Sequence, residues 1–344
     1  MELGKKIKQL RFKAGLTQEQ LADRLGIGAQ SVSKWENAVS MPDITALPLL
    51  AEIFGVSIDD LFDLTNEQRF NRIENRLDIE DDLPQDVFME YEEFLKTQLD
   101  GQNKKRATEL IAYLYWNRMD MFSAKAARYA EDAVRLSPGE KGCKWILNKT
   151  RGHAVWDWNL RNHTAAINFY REICDNNPGL CLPHYYLLDN LIADRRADEA
   201  EKVLGRLSTI KDADPVLCEA YRAHIALARF DEPAADAIID AMLAANGENS
   251  AALFEAAQYY ADKCDYDRAI ELYELSFSKS DCRPRFQDEL MAIADIYEIK
   301  GDCAKAAEAY GRIVDLLQNE WHMTEEVELK KAMEARARLL AKAQ

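Results

Sequence analysis

The segment from Leu16 to Asp43, LTQEQLADRLGIGAQSVSKWENAVSMPD, decides the fold of the N-terminal region. Thr17 followed three residues later by Gln20 fits a capping box, so an apolar-periodic helix is predicted to start here. Gly26 favours the left-handed conformation that ends such a helix, and Gly28 is an acceptable N-cap for another over about 29–37. Helical spacing of apolar residues over 2–14 predicts one helix before the segment. The pattern therefore indicates short helices that meet at a glycine corner.

The last helix of this segment separates its side chains into two faces. Val32 and Trp35 fall on the side that is predicted to face inward. Gln30, Ser33 and Lys34 fall on the opposite, exposed side, where amide, hydroxyl and ammonium groups are available to a ligand. A solvated helix face is the alternative for these three residues.

The segment resembles the Cro and lambda-repressor-like (XRE-type) helix-turn-helix family. The motifs LTQEQLADRLGI, QSVSKWEN and PDITALPLLAEIFGVSIDDLF carry the resemblance, which covers residues 3–62, about a fifth of the chain. It implies a five-helix DNA-binding domain whose recognition helix enters the major groove, and a dimer on a palindromic operator. It also implies that Ala29, Gln30, Ser33 and Lys34 face the bases. By the same resemblance, Gln18 and Asn37 contact phosphates. Arg11 and Glu36 match the positions of a structural ion pair. Two residues depart from the family pattern, Ala38 and Gly28.

Charge is distributed unevenly along the chain. The 344 residues carry a net charge of −16, which disfavours bulk attraction to nucleic acid or to an anionic membrane. Residues 1–34 nevertheless hold seven bases against three acids, so a local basic patch is available for DNA. Seven scattered cysteines and the absence of a long apolar run predict a reduced, cytoplasmic protein with no membrane partner.

A repeat of about 34 residues follows the N-terminal region. Alanine recurs in six aligned segments, at 126, 166, 200, 235, 269 and 306, and most copies carry another small residue twelve positions earlier. Small residues let paired helices approach closely, and the spacing resembles the tetratricopeptide repeat. A generic helical bundle is the alternative. The final stretch predicts a capping helix with one apolar side, formed by Val327, Met333, Ala337 and Leu340.

The resemblance to tetratricopeptide repeats also predicts a ligand groove on the first helix of each hairpin. Aromatic rings would contact apolar side chains, arginines would bind a carboxylate, and amide side chains would pair with a peptide backbone. A slip of one residue would rotate these positions by about 100°. The predicted ligand-binding residues are Asn148, Arg151, Trp158, Asn159, Tyr185, Asp189 and His224.

No enzymatic motif is present in the sequence. The five histidines include no H-E-x-x-H pair, and no P-loop, G-x-S-x-G or dinucleotide fingerprint occurs. The sequence therefore predicts no catalytic residues, no metal site and no cofactor.

Together these features predict an all-α protein: a DNA-binding domain (1–66), a connecting helix and linker (67–85), and a tetratricopeptide-like α-solenoid with a capping helix (86–344). This architecture resembles the RRNPP peptide-responsive regulators of Gram-positive bacteria. The resemblance implies a homodimeric transcriptional regulator whose repeats bind a short peptide. Two alternatives stay open: the array binds a partner protein, or the chain is an interaction scaffold that does not bind DNA.

Overall fold

The structure is a computed structural model that describes residues 2–56, 58, 61–62, 65–139, 142–152 and 162–343. All regular structure in these residues is helical. The chain divides into two compact units, residues 1–122 and 123–344. None of the described helices has the length and apolar composition that crossing a membrane requires.

The N-terminal unit contains the predicted helix-turn-helix. Its elements, including a last helix that extends past residue 122, are α1 (Glu2–Lys13), α2 (Gln18–Leu25), α3 (Ala29–Glu36), a 3-10 turn (Ile44–Ala46), α4 (Leu47–Phe54), α5 (Asn66–Ile79), α6 (Gln85–Thr97) and α7 (Lys104–Leu136). The fifth helix expected of the DNA-binding domain falls mostly outside the described residues.

Local sequence signals place the ends of α2 as predicted. The Gln20 amide donates to the Thr17 hydroxyl at 3.1 Å, and the Gln20 side chain accepts from the Thr17 amide at 2.9 Å. Gly26 ends the helix with φ of 68°, and Gly28 is the N-cap of α3 without a side-chain bond. Val32 and Trp35 are buried in the core of the helix-turn-helix, which confirms the inward face.

The repeat unit is a stack of helical hairpins. After α7 come α8 (Lys144–Thr150), α9 (Thr164–Asn176), α10 (Cys181–Ala193), α11 (Ala197–Leu207), α12 (Pro215–Ala228), α13 (Glu232–Asn246), α14 (Ser250–Asp262), α15 (Tyr266–Lys279), α16 (Asp288–Ile299), α17 (Cys303–Asn319) and α18 (Val327–Lys342). From α9 onward each helix packs on the next, and α12 also contacts both α10 and α14. This nearest-neighbour packing is typical of a solenoid, as predicted.

The periodic alanines are the contact points of this stack in its later copies. The predicted alanines of α11, α13, α15 and α17 have no solvent exposure, and neither do the earlier small residues of α12, α14 and α16; they are Ala200, Ala235, Ala269, Ala306, Ala223, Ala257 and Ala294. In the first two copies the alignment is one residue off. There Ala127 and Ile167 are buried, while Ala126 and Ala166 are only partly covered.

Each of four hairpin turns contains one residue in the left-handed conformation. These residues are Arg195, Phe230, Cys264 and Gly301, and they repeat with the period of the hairpins. In the last three turns the next residue is an aspartate that caps the following helix; Asp265, for example, accepts from the Arg268 amide. Sequence analysis missed this turn because only one of the four left-handed positions is glycine.

The predicted apolar side of the capping helix was right for Val327, which is buried, and wrong for Met333, Ala337 and Leu340, which are exposed. Met333 and Leu340 of α18 are about half exposed, whereas Leu329, Ala332 and Leu339 are buried. The buried set faces α17, whose Leu316 and Leu317 belong to the same core as Leu329 and Ala332. The reason is that the position of α17, and not the hydrophobicity of the side chains alone, determines which face of α18 is buried.

A close approach between α1 and α3 supports the first prediction. Gly4 lies against the end of α3, where an added Cβ atom would be 2.1 Å from the backbone oxygen of Trp35. A Gly4→Ala substitution must therefore separate the helices, and overpacking of this kind costs about 1–3 kcal/mol. We expect hydrogen exchange of α1 and α3 in the full chain to accelerate accordingly.

Gly101→Ala is the matched control in the same unit. Its Cβ atom would meet only the backbone oxygen of Gln98, at an ordinary 3.9 Å. Equal exchange in both variants would show that the contact between Gly4 and Trp35 does not hold the two helices together.

Candidate functional site

A buried ion pair fixes the recognition helix α3 to the rest of the helix-turn-helix. Arg11 donates to both carboxylate oxygens of Glu36, at 2.6 and 2.9 Å, and the two side chains are 6% and 1% exposed. The third nitrogen of the guanidinium donates to the backbone oxygen of Leu16 at 2.8 Å. Gln18 also donates to Glu36 at 2.8 Å. The network therefore joins α1, α2 and α3 and orients the helix that follows the glycine corner.

The pKa of Glu36 reflects this network. Burial of the carboxylate favours its protonated form, but hydrogen bonds from Arg11 and Gln18 outweigh burial and hold the pKa below its ordinary value. A carboxylate with a lowered pKa in the folded state contributes stability above its unfolded pKa and loses it as the pH falls.

The exposed face of α3 presents the predicted reading residues. Gln30 and Lys34 are exposed, and in the described part of the chain neither forms a side-chain hydrogen bond or an ion pair. Ser33 is half-buried, and the Asn37 amide donates to its backbone oxygen at 2.9 Å. Ala29 is half-buried because it also packs against the core. Two free polar side chains therefore lie one helical turn apart on a rigidly held helix.

A second candidate site is a cleft in the repeat unit. It has a volume of about 850 Å³ and is lined by α10, α12 and α14, together with the turns after α10 and α12. We call it the α12 cleft. Its polar lining includes Asp189, Tyr221, His224, Glu232, Glu255, Gln258, Asp262 and Arg195, and its apolar lining includes Ile192, Leu217, Ala220, Leu227 and Phe230.

Two of the predicted groove residues line this cleft, and a third contacts its lining. Asp189 and His224 line it, and Tyr185 stacks on Tyr221 with ring centroids 5.9 Å apart. The Tyr221 hydroxyl donates to Asp189 at 2.8 Å. Sequence analysis missed Tyr221 and Glu255. Each lies two residues before the small residue of its helix, Ala223 or Ala257, and this position was not among the predicted groove positions.

Two further predicted groove residues, Asn148 and Arg151, do not line the α12 cleft. Arg151 follows α8 and pairs with Glu131 at 3.0 Å, and Asn148 is a half-buried residue of α8. The predictions for Trp158 and Asn159 fall outside the described residues.

Comparison with known proteins shows what the N-terminal region is similar to. The helix-turn-helix family profile matches residues 7–61. The HTH-type transcriptional regulator YopO of Bacillus subtilis, derived from the SPbeta prophage, is 36% identical over 61 residues, which are 18% of this chain and 87% of that protein. The chain belongs to the helix-turn-helix family of transcriptional regulators. Its relatives are regulators and not enzymes, as the absence of enzymatic motifs predicted.

Two further regulators match only in part. The HTH-type transcriptional activator BcrR of Enterococcus faecalis is 41% identical over 61 residues, which are 18% of this chain and 30% of BcrR. The regulator ImmR of Bacillus subtilis has the same identity over 61 residues, which are 48% of its length. The chain thus matches less than half of each of these two relatives.

Solved structures align with more of the chain at low identity. The Bacillus thuringiensis regulator PlcR, in complex with the peptide PapR7 and DNA, covers 82% of this chain and 99% of its own at 15% identity and a TM-score of 0.25. The apo competence regulator ComR of Streptococcus vestibularis covers 98% of both chains at 16% identity and a TM-score of 0.25. At such low identities and TM-scores, these alignments do not indicate the function of the repeat unit.

The ion pair yields the second prediction. Arg11→Met leaves the Glu36 carboxylate buried without its partner, which costs about 3–5 kcal/mol. The double variant Arg11→Met with Glu36→Met removes both charges, so we expect it to recover much of that loss. Hydrogen exchange of α1 and α3 in the full chain measures both effects.

The pH dependence checks the same interaction. In the wild type we expect protection of α1 and α3 to fall as the pH drops below about 4.3, the unfolded pKa of glutamate. The double variant should lack the part of this decline that Glu36 causes. Identical acid profiles of wild type and double variant would contradict the role given to the pair.

Proposed function

We propose that the chain is a sequence-specific DNA-binding transcriptional regulator whose α3 reads bases in the major groove. The observation that carries the proposal is that Gln30 and Lys34 are exposed and have no partner among the described residues, on a helix fixed by a buried network. A partner-free amide and ammonium on a rigid helix retain their full hydrogen-bonding capacity for a ligand.

The chemistry of these residues suits base edges. A glutamine amide forms two hydrogen bonds with adenine N6 and N7, and a lysine ammonium donates to guanine O6 or N7. Ala29 is proposed to contact a thymine methyl group. Asn37 and Gln18, at the end of α3 and the start of α2, are proposed to contact phosphates, although one amide hydrogen of each is already engaged within the protein.

The third prediction concerns base reading. Duplexes selected from a random library by the full-length protein would define the preferred site. Gln30→Ala and Lys34→Ala should each reduce discrimination at one or two base pairs by about 1–3 kcal/mol, because the lost contact is to a base edge. Equilibrium binding to the selected site and to its single-base variants measures this loss.

Lys202→Ala is the control, since it removes one exposed lysine charge from α11 in the repeat unit. It should leave base preference unchanged. Unaltered affinity and preference in all three variants would favour the alternative of a scaffold that does not bind DNA.

We further propose that the protein binds a palindromic operator as a homodimer in the cytoplasm. The N-terminal basic patch is small, so one unit supplies few phosphate contacts, whereas two units add both phosphate and base contacts.

The fourth prediction follows from this assembly. Sedimentation at micromolar concentration should give a dimer, and selected duplexes should contain inverted half-sites about 34 Å apart, one turn of DNA. Affinity should fall steeply with salt, since phosphate contacts release counterions. A monomer that selects a single half-site would contradict the dimer.

We propose that the repeat unit binds a short peptide and that this binding regulates the DNA-binding domain. Supporting the proposal is the α12 cleft, which combines apolar walls with polar groups and contains Asp189 and His224 from the predicted groove. An open cleft along successive hairpins suits an extended ligand. A partner protein is the alternative ligand for the same surface.

A further inference from the structure

The α12 cleft holds more negative than positive charge. Four carboxylates line it, those of Asp189, Glu232, Glu255 and Asp262, against the single guanidinium of Arg195. Glu232 has its own cation outside the lining, since the Lys263 ammonium lies 2.8 Å from it. Three carboxylates therefore remain for the cleft itself.

The two basic side chains of the lining do not balance these carboxylates. Burial lowers the pKa of His224, although Asp262 and Asp189 oppose the effect, so the imidazole is neutral at pH 7. Its Nδ1 atom lies 3.4 Å from an oxygen of Asp262. Arg195 stacks on the Phe230 ring at 4.7 Å and forms no ion pair with any described residue. Among the described lining residues, the single charge of Arg195 therefore balances the three carboxylates only in part.

Glu255 is the carboxylate with the fewest interactions. It is half-buried on α14, and within the described part of the chain it accepts no hydrogen bond and has no ion-pair partner. Asp189, by contrast, accepts from Tyr221. Leaving a carboxylate partly desolvated without a donor costs free energy, and a ligand that brings a donor removes that cost.

A metal ion does not fit these carboxylates. No group of three histidine, cysteine, aspartate or glutamate side chains in the described ranges is close enough to hold one. Leu217, Ala220 and Leu227 supply apolar lining beside the acids. A cation at the end of an aliphatic stem matches both features, because the methylenes pack on apolar side chains while the charged end reaches a carboxylate.

We infer that the α12 cleft binds a lysine or arginine side chain of the peptide ligand, with Glu255 as the anionic partner of its charged end. Asp189 and Asp262, which line the same cleft, add negative potential. The inference rests on the proposed peptide-binding function, which it deepens by assigning a charge to the ligand.

The titration of Glu255 gives the inference a pH signature. Burial first, and then the negative charges of Asp189 and Asp214, raise the pKa of Glu255 to about 7. The phenols of Tyr221 and Tyr273 lie near it, and the cleft is also lined by the neutral His224, by Glu232 and Asp262, and by Arg195. Arg195 is the one positive charge among these described groups, and its charge does not change between pH 6 and 8. Binding of a cation favours the ionised carboxylate, so affinity should increase as the pH rises from 6 to 8.

The test uses three synthetic pools of acetylated, amidated hexapeptides with random uncharged residues and one fixed position. The fixed residue is lysine, its uncharged analogue norleucine, or glutamate. Full-length protein is incubated with an equimolar mixture, and retained peptides are quantified by mass spectrometry. We expect lysine peptides to be enriched about tenfold over norleucine peptides at pH 8, since this ratio corresponds to the free energy of one charge-assisted hydrogen bond. At pH 6 the enrichment should be smaller. A fourth pool, norleucine with a free amino terminus, should not be enriched.

Glu255→Gln keeps the shape of the side chain and should abolish the preference for lysine. Glu271→Gln on α15, an exposed residue that pairs with Arg268 outside the cleft, is the matched control and should retain it. Thermal unfolding of each variant verifies that it is folded. Asp189→Asn can still accept a hydrogen bond from Tyr221, so it should weaken the preference for lysine without abolishing it.

The outcomes separate the two proposals. Retention of norleucine or glutamate peptides as strongly as lysine peptides, or a preference that survives in Glu255→Gln, would overturn the cationic site while peptide binding stands. Enrichment of the free-amino pool alone would assign the cation to the peptide terminus and overturn the side-chain assignment. Retention of no pool would overturn peptide binding and the inference together.

Discussion

Both units depend on helices that approach each other closely enough to exclude side chains larger than a methyl group. In the N-terminal unit Gly4 has no room for even a Cβ atom against the backbone oxygen of Trp35. In the repeat unit the same role is taken by fully buried alanines, such as Ala223 in α12 and Ala235 in α13. Because protein interiors are close-packed, a larger residue at these points would move a whole helix.

In the helix-turn-helix, this close approach is combined with a polar network that sets the orientation of α3. A hydrophobic contact alone tolerates rotation and sliding, whereas the paired hydrogen bonds between Arg11 and Glu36 have fixed directions. Gln18 adds a bond from α2, so that three helices are tied to one carboxylate. We propose that this geometry allows Gln30 and Lys34 to be exposed without becoming mobile relative to the domain, which base reading requires.

In the repeat unit, close stacking brings like charges together. Asp189 and Glu255 lie on α10 and α14, which flank α12, and the short separation of stacked hairpins brings both side chains to one cleft. Their mutual repulsion and partial desolvation oppose folding, and within the described residues neither carboxylate forms an ion pair with a lysine or arginine. The unfavourable arrangement is the physical basis for assigning a cationic group to the ligand.

The sequence by itself determined the features that depend on neighbours along the chain. The helical class, the capping box at Thr17, the left-handed Gly26 and the period of the repeats follow from local spacing and backbone preference. The role of Asp189 and His224 in lining the cleft also followed from counting along hairpins. Whether they bind a ligand stays a prediction.

Tertiary structure alone decided which side of several helices is buried and which charges meet. Neighbouring residues on a helix point about 100° apart, so the position of the partner helix selects Ala127 over Ala126 and Leu339 over Leu340. The raised pKa of Glu255 comes from burial and from Asp189, a residue 66 positions away in the numbering of the chain. A local sequence pattern cannot predict this pKa shift, because desolvation and charge repulsion depend on distances in the folded structure.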